Sequence, residues 1–376
     1  MSHKKWIFIV LAFNFISSFA LFALLYIYDP LMLYHKPYFR EKTYLNNIRL
    51  SAKGIIDNEN FNSVIIGTSM TENTSAQEAD KKLGRKWVNL SMWGSYLNER
   101  AIILNYLFLS KDIKQVIYTL DAFTLNDPNL KIPNHPPINS FDFLYDDNIY
   151  NDFKVYLNKK FILCALEFST KEYCVGNANL EKLLNWEKEY KKFFGGFDNW
   201  MKYKNEDDKQ KLKNMILNAQ KFSPQLDIDI EKNKQYIKTY LLSFIKAHPK
   251  TQFDLIIPTH SKLLYRILYL DPEYYNKDSI LFSKYQAVLK WLILETQKYP
   301  NVKIFGFDDL DYADNIANYK DPSHYNSIMN SMQLDAIKTQ THILTPQNMD
   351  SYFKTMEEKI KNYDLNPFIQ YIKNNQ

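Results

Sequence analysis

Residues 6–28 read WIFIVLAFNFISSFALFALLYIY, and the run carries no charge. Asn14 and the Ser17-Ser18 pair are its only strongly polar side chains. As a helix rising ~1.5 Å per residue it is about 34 Å long, enough to cross a hydrocarbon core of ~30 Å. It is apolar on every face, which a helix buried on one side of a soluble domain does not need. Trp6, Tyr26 and Tyr28 stand at its ends, where aromatic belts form. A cleavable signal has a shorter apolar region and a small-residue exit, whereas this run continues into Leu-Leu-Tyr-Ile-Tyr. The expectation is an uncleaved single-pass anchor over residues 1–30. Lys4 and Lys5 favour a cytoplasmic N-terminus, although Lys36, Arg40 and Lys42 follow the span closely. The rest of the chain would then lie outside the cytoplasm.

That rest holds few glycines. The whole chain of 376 residues has 8, well under the usual share of ~7%. No G-x-G-x-x-G or G-x-x-x-x-G-K-[ST] occurs, so nucleotide-binding loops of those kinds are excluded. Each remaining glycine marks a place where backbone geometry asks for one. The net charge of +5 is spread thinly among interleaved acids, without the concentrated basic stripe of a nucleic-acid binder. Two cysteines, Cys164 and Cys174, exclude a Cys-based zinc ribbon. If the domain is exported they are able to pair, but spacing alone does not show that their side chains meet.

Strand-like and helical stretches alternate in the soluble part. Short apolar runs at 62–67, 87–90, 115–120, 253–257 and 302–306 read as strands. Helical stretches at about 75–83, 96–109 and 282–298 lie between them, and a closing helix starts near Asn326. This order predicts an α/β domain over residues 31–376 with a mainly parallel sheet in an α/β/α sandwich. A long interruption at about 127–250 opens with a Pro- and Asn-rich loop and continues Lys-rich and aromatic, with helical periodicity. It reads as a helical insertion or lid.

In an open α/β sheet, ligands sit beyond the carboxyl ends of the strands. After the first strand comes Gly67-Thr68-Ser69, with Ser69 at the start of a helix. After the second comes Asn89-Leu-Ser-Met-Trp-Gly94, whose glycine N–H can approach a bound oxygen. After the last comes Asp321-Pro-Ser-His324. Spacing of three across a Pro-Ser turn lets the carboxylate hold the imidazole Nδ1–H while Nε2 faces a nucleophile. Nucleophile, base, orienter and oxyanion donors are the equipment of acyl transfer.

These blocks resemble those of the SGNH (GDSL-like) hydrolase superfamily. Gly67-Thr68-Ser69 is similar to its nucleophile block, Gly94 to its oxyanion block, and Asp321-Pro-Ser-His324 to its Asp–His block. The resemblance implies Ser69 as nucleophile, His324 as base, Asp321 as orienter, and the N–H groups of Ser69 and Gly94 as oxyanion donors. With the anchor, the chain looks like membrane-tethered members of cell-envelope polysaccharide pathways, such as the teichoic-acid D-alanyl-transfer and alginate O-acetylation proteins. That implies a cell-surface glycan substrate and, as a partner, a multi-spanning membrane O-acyltransferase. One departure stands out. The superfamily's third block is Gly-x-Asn-Asp, and its Asn donates a further oxyanion bond. Here the third strand ends in Leu120-Asp121-Ala122-Phe123, and Asn126 is the nearest replacement. An ionised Asp121 accepts hydrogen bonds and cannot donate to an oxyanion.

His260 follows the fourth strand and reads either as a loop histidine satisfied by backbone or as a substrate contact. The histidines show no metal-ligand spacing, so neither metal nor cofactor is expected. Trp186, Phe193, Phe194, Phe197 and Trp200 read as core first and as a sugar- or lipid-facing surface second. Gly195-Gly196 reads as a helix stop. The expected function is a membrane-anchored, extracytoplasmic serine acyl-ester hydrolase or O-acyltransferase acting on a cell-surface polysaccharide. The alternatives are a catalytically impaired glycan-binding or scaffold subunit, and a lipid esterase.

Overall fold

The computed structural model describes residues 3–125, 138–219, 228–267 and 282–375. The apolar runs form strands β1 (Ser63–Ile66), β2 (Trp87–Asn89), β3 (Gln115–Thr119), β4 (Gln252–Ile256) and β5 (Val302–Phe305). All five pair in parallel, and every residue of β1 and β3 is buried. That is the burial expected of strands covered on both faces, and it explains why they read as unbroken β-branched runs. A sixth strand, β6 (Ile343–Leu344), adds antiparallel to β5. The sheet is therefore mixed, with four parallel pairings and one antiparallel pairing at its edge. Two residues are too few to show a periodicity.

The strand order is β2-β1-β3-β4-β5-β6. The connection from β1 runs outward to β2 and that from β3 runs the other way to β4, so a crevice opens where the β1 and β3 loops diverge. Helix Leu97–Ser110 precedes β3, and helix Phe282–Thr296 precedes β5. Helix Ser327–Thr339 buries Met329, Leu334 and Ile337 in the core with Ile65, Ile117, Ile256 and Phe305 of the sheet. It does not close the chain: β6 and helices Met349–Lys361 and Asn366–Asn374 follow.

The chain divides into two compact units. One comprises Phe61–His135 and Leu184–Gln376, and holds the sheet. The other comprises Met1–Asn60 and Pro136–Leu183, so the helical interruption contributes to both. In this second unit helix His3–Tyr28 is long and apolar enough to span a membrane, and none of its most apolar stretch is buried. Asp29 ends the helix, and its carboxylate accepts the N–H groups of Leu33, Tyr34 and His35 at 3.0, 2.9 and 3.0 Å, folding the chain back. Lys53 and Asp152 form a buried ion pair at 2.6 Å. A disulfide joins Cys164 to Cys174, linking helix Lys159–Leu166 to helix Glu172–Val175, with Cα atoms 5.7 Å apart.

Candidate active site

The turn after β1 carries Ser69 as the first residue of the short helix Ser69–Glu72. Thr68 caps that helix, its hydroxyl accepting Met70 N–H at 3.3 Å. Gly67 is needed here for space. A Cβ on it would lie 2.3 Å from both Thr119 Oγ1 and Thr71 Oγ1. The β1 exit therefore packs against the end of β3 at a distance only glycine allows. Its φ is not in the left-handed region, so space and not backbone conformation is the reason for this glycine.

Gly94 is left-handed, with φ of 61°, in the loop after β2. That loop is tied to the β1 exit, because Met92 N–H and Ser95 Oγ both donate to the Gly67 carbonyl at 2.9 Å. Asn89, at the end of β2, donates to the carbonyls of Thr71 and Thr74 at 2.7 and 2.9 Å and closes the far end of the Ser69 helix. Asn330 adds a bond to the Met70 carbonyl at 2.9 Å. The serine thus sits on a short segment held from three sides.

Residues 320–324 form a turn pinched by Tyr319 pairing with Tyr325 and by Lys320 N–H donating to the His324 carbonyl at 3.0 Å. Asp321 Oδ1 accepts the N–H groups of Ser323 and His324, each at 2.9 Å. His324 Nδ1 stands 2.9 Å from both carboxylate oxygens of Asp321, and His324 Nε2 stands 2.8 Å from Ser69 Oγ. The structure therefore brings Ser69, His324 and Asp321 together in one hydrogen-bonded line. About a quarter of the His324 side chain and a fifth of the Asp321 side chain reach solvent. Burial pushes the Asp321 carboxyl up, but the His324 imidazole and the Lys320 ammonium outweigh it and hold it well below the usual carboxylate range.

His260 does not reach the open side of this line. It is 6% exposed, and its Nδ1 faces the Ser323 carbonyl at 3.3 Å. Burial lowers its basicity, with Asp121 and the Ser323 carbonyl acting in the other direction. Its neighbour Ser261 donates to the Pro322 carbonyl at 2.5 Å, and Tyr319 Oη donates to the Thr259 carbonyl at 2.8 Å. The β4 loop therefore props the Asp321–His324 turn from behind. Asn126, the other candidate oxyanion donor, lies outside the described residues.

Asp121 is fully buried. It accepts from Thr68 Oγ1 at 2.7 Å and pairs with Arg100 at 3.4 Å, itself fully buried. Arg100 also donates to the carbonyls of Thr119 and Ser95 at 2.7 and 3.0 Å. Asp121 thus braces the cap of the helix that begins at Ser69.

Two contributors carry no local signal. Trp186 donates its indole N–H to the Ser69 carbonyl at 2.9 Å, and its ring meets the His324 ring edge-on at 5.5 Å. Lys320 lies 4.1 Å above the rings of both Trp186 and Tyr190. Burial depresses the Lys320 ammonium pKa, with Asp321 and Glu72 opposing. Of the other aromatics named from sequence, Phe197 and Trp200 are core. Gly195 and Gly196, at φ of 107° and 110°, link the 3-10 turn Lys191–Phe193 to helix Phe197–Tyr203, so they open a helix as well as ending a turn. Among the described residues no group of three His, Cys, Asp or Glu side chains is placed to hold a metal ion. No protein-family model matches the chain, and no curated protein matches it.

Proposed function

We propose that this chain is a membrane-anchored, SGNH-type serine enzyme, an acyl-ester hydrolase or O-acyltransferase acting on a cell-surface polysaccharide. The observation that carries the reading is the unbroken line Ser69 Oγ–His324 Nε2, His324 Nδ1–Asp321. Ser69 Oγ attacks the acyl carbonyl and its proton passes to His324 Nε2. The C–O bond to the leaving alcohol breaks, and that alcohol takes the proton from His324. Asp321 holds the Nδ1–H tautomer throughout. A sugar hydroxyl or water then gives its proton to His324 and attacks the acyl carbonyl; the bond from the acyl carbon to Ser69 Oγ breaks, and His324 returns the proton to Ser69 Oγ. The N–H groups of Ser69, at its helix N-terminus, and of Gly94 receive the oxyanion.

The location follows from two features. Helix His3–Tyr28 has the length and composition of a span, and the disulfide suits an oxidising compartment. The proposed arrangement puts the N-terminus in the cytoplasm and the remainder outside, beside a multi-spanning acyltransferase that supplies the acyl group. A fluorophosphonate probe tests the chemistry. The full chain should be labelled at Ser69, and Ser69→Ala should abolish labelling while leaving the thermal melt unchanged. Absence of labelling in the folded parent chain argues for the second reading, a non-catalytic glycan-binding or scaffold subunit. That reading is motivated by Asp121, which is engaged with Thr68 and Arg100 where the superfamily has a donor.

A further inference from the structure

The last turn of the apolar helix is encircled by aromatic rings from its own unit. From Tyr26 the contacts run to His35 at 5.1 Å, from His35 to Tyr38 at 4.3 Å, and from Tyr38 to Phe39 at 6.2 Å. They continue from Phe39 to Phe168 at 6.2 Å and return to the helix at Tyr28, 6.3 Å from Phe168. Tyr26 and Tyr28 are two residues apart, so they leave the helix on nearly opposite sides. The chain of rings therefore begins on one side of the span and ends on the other. One turn deeper, Phe22 packs on Phe153 at 4.7 Å.

The outer rings are not core. Phe39 is 75% exposed, Tyr38 61% and Phe168 47%, with Leu166 exposed beside them. A contiguous apolar and aromatic surface of this kind is a liability in water and marks an interaction site. Its occupant follows from continuity, because the surface merges with an apolar helix whose most apolar stretch is left unburied, at the height where that helix runs out. Amphipathic rings at that height belong to the headgroup layer.

We infer that Tyr38, Phe39 and Phe168 form a membrane-interface seat, inserted into the headgroup–acyl boundary of the bilayer that residues 6–28 cross. The unit comprising Met1–Asn60 and Pro136–Leu183 then rests flush on the lipid surface instead of standing off on a stalk. Tyr28 donating to the Ser169 carbonyl at 2.7 Å locks the Phe168 side of the seat to the helix. The inference rests on the membrane-span reading proposed above and is independent of the acyl-transfer chemistry.

The test places nitroxide labels, one at a time, on Phe15→Cys, Phe39→Cys and Phe168→Cys of the full chain. The chain is reconstituted in vesicles of three parts phosphatidylcholine to one part phosphatidylglycerol. Collision rates with oxygen and with a water-soluble nickel chelate report depth. The seat predicts a label at 15 deep in hydrocarbon, and labels at 39 and 168 at headgroup depth, with chelate collisions reduced several-fold from those of a free aqueous label. A deep label at 15 with fully chelate-accessible labels at 39 and 168 overturns the seat while keeping the span. A chelate-accessible label at 15 overturns both.

Discussion

Asp321 does more than one job with a single carboxylate. It receives two backbone N–H groups and the imidazole of the residue three positions on. Its depressed pKa has a defined consequence. A carboxyl held below its unfolded value, about 3.9, contributes stability that is complete above that pH and is lost only as pH falls through the lower folded value. Asp321 therefore stays ionised across the whole range in which an esterase is assayed, and the acid limb of activity does not come from it. Replacing it by Asn keeps the shape but presents the wrong partner to His324 Nδ1. Asp321→Asn should lower the rate of fluorophosphonate labelling by about 10⁴-fold. In the proposed mechanism Trp186 acts through Ser69 and His324, as a positioning residue. Trp186→Phe keeps a ring against His324 and removes the bond to the Ser69 carbonyl. A lost bond of roughly 0.5–1.5 kcal/mol corresponds to a drop of roughly 2–10-fold in kcat/KM for a small ester. The drop should fall mainly on kcat, and an unchanged kcat would remove Trp186 from the positioning machinery. The Ser69 and Asp321–His324 positions were legible because each follows a strand with a short motif, and the structure brings their side chains together. Trp186 was not, because its partnership with Ser69 spans more than a hundred residues of chain and follows from the insertion's path.

At the scale of elements, the five parallel strands were legible from β-branched runs that are buried on both faces. β6 was hidden by its length, and the two helices after it lie beyond the last apparent motif. At the β3 end, Asp121 anchors the β1 turn through Thr68 and is paired with Arg100 on the preceding helix. Arg100→Ala would leave a buried carboxylate without its ion partner, a change that costs about 3–5 kcal/mol. The expected outcome is a large loss of thermal stability that Asp121→Asn, added to it, partly restores. If Arg100→Ala alone melts like the parent chain, Asp121 is not held as an ion pair, and its bracing role fails with it.

At the scale of the molecule, the apolar helix was the plainest signal in the sequence, and the structure gives it the exposure that a span requires. The pairing of the two cysteines was open from spacing alone, since nothing local shows that positions 164 and 174 approach each other. Removing the disulfide by Cys164→Ser with Cys174→Ser should cost about 2–3 kcal/mol, read as a lower melting temperature in the same detergent. The same loss should follow from a reductant, and no change under either treatment would show that the bond does not contribute to the fold. The glycines join the two scales. Gly67 is demanded by the close approach of Thr119 and Thr71, and Gly94 by a left-handed turn, and the loops that carry them meet at the Gly67 carbonyl. The central claim is that Ser69 accepts an acyl group with His324 as its base. The most direct test is mass spectrometry of the full chain quenched in acid during turnover of p-nitrophenyl acetate. The account predicts one acetyl group on the peptide that contains Ser69, absent from Ser69→Ala and strongly reduced in His324→Ala. An unmodified Ser69 peptide during turnover, or acetylation that persists at another residue in Ser69→Ala, would contradict it.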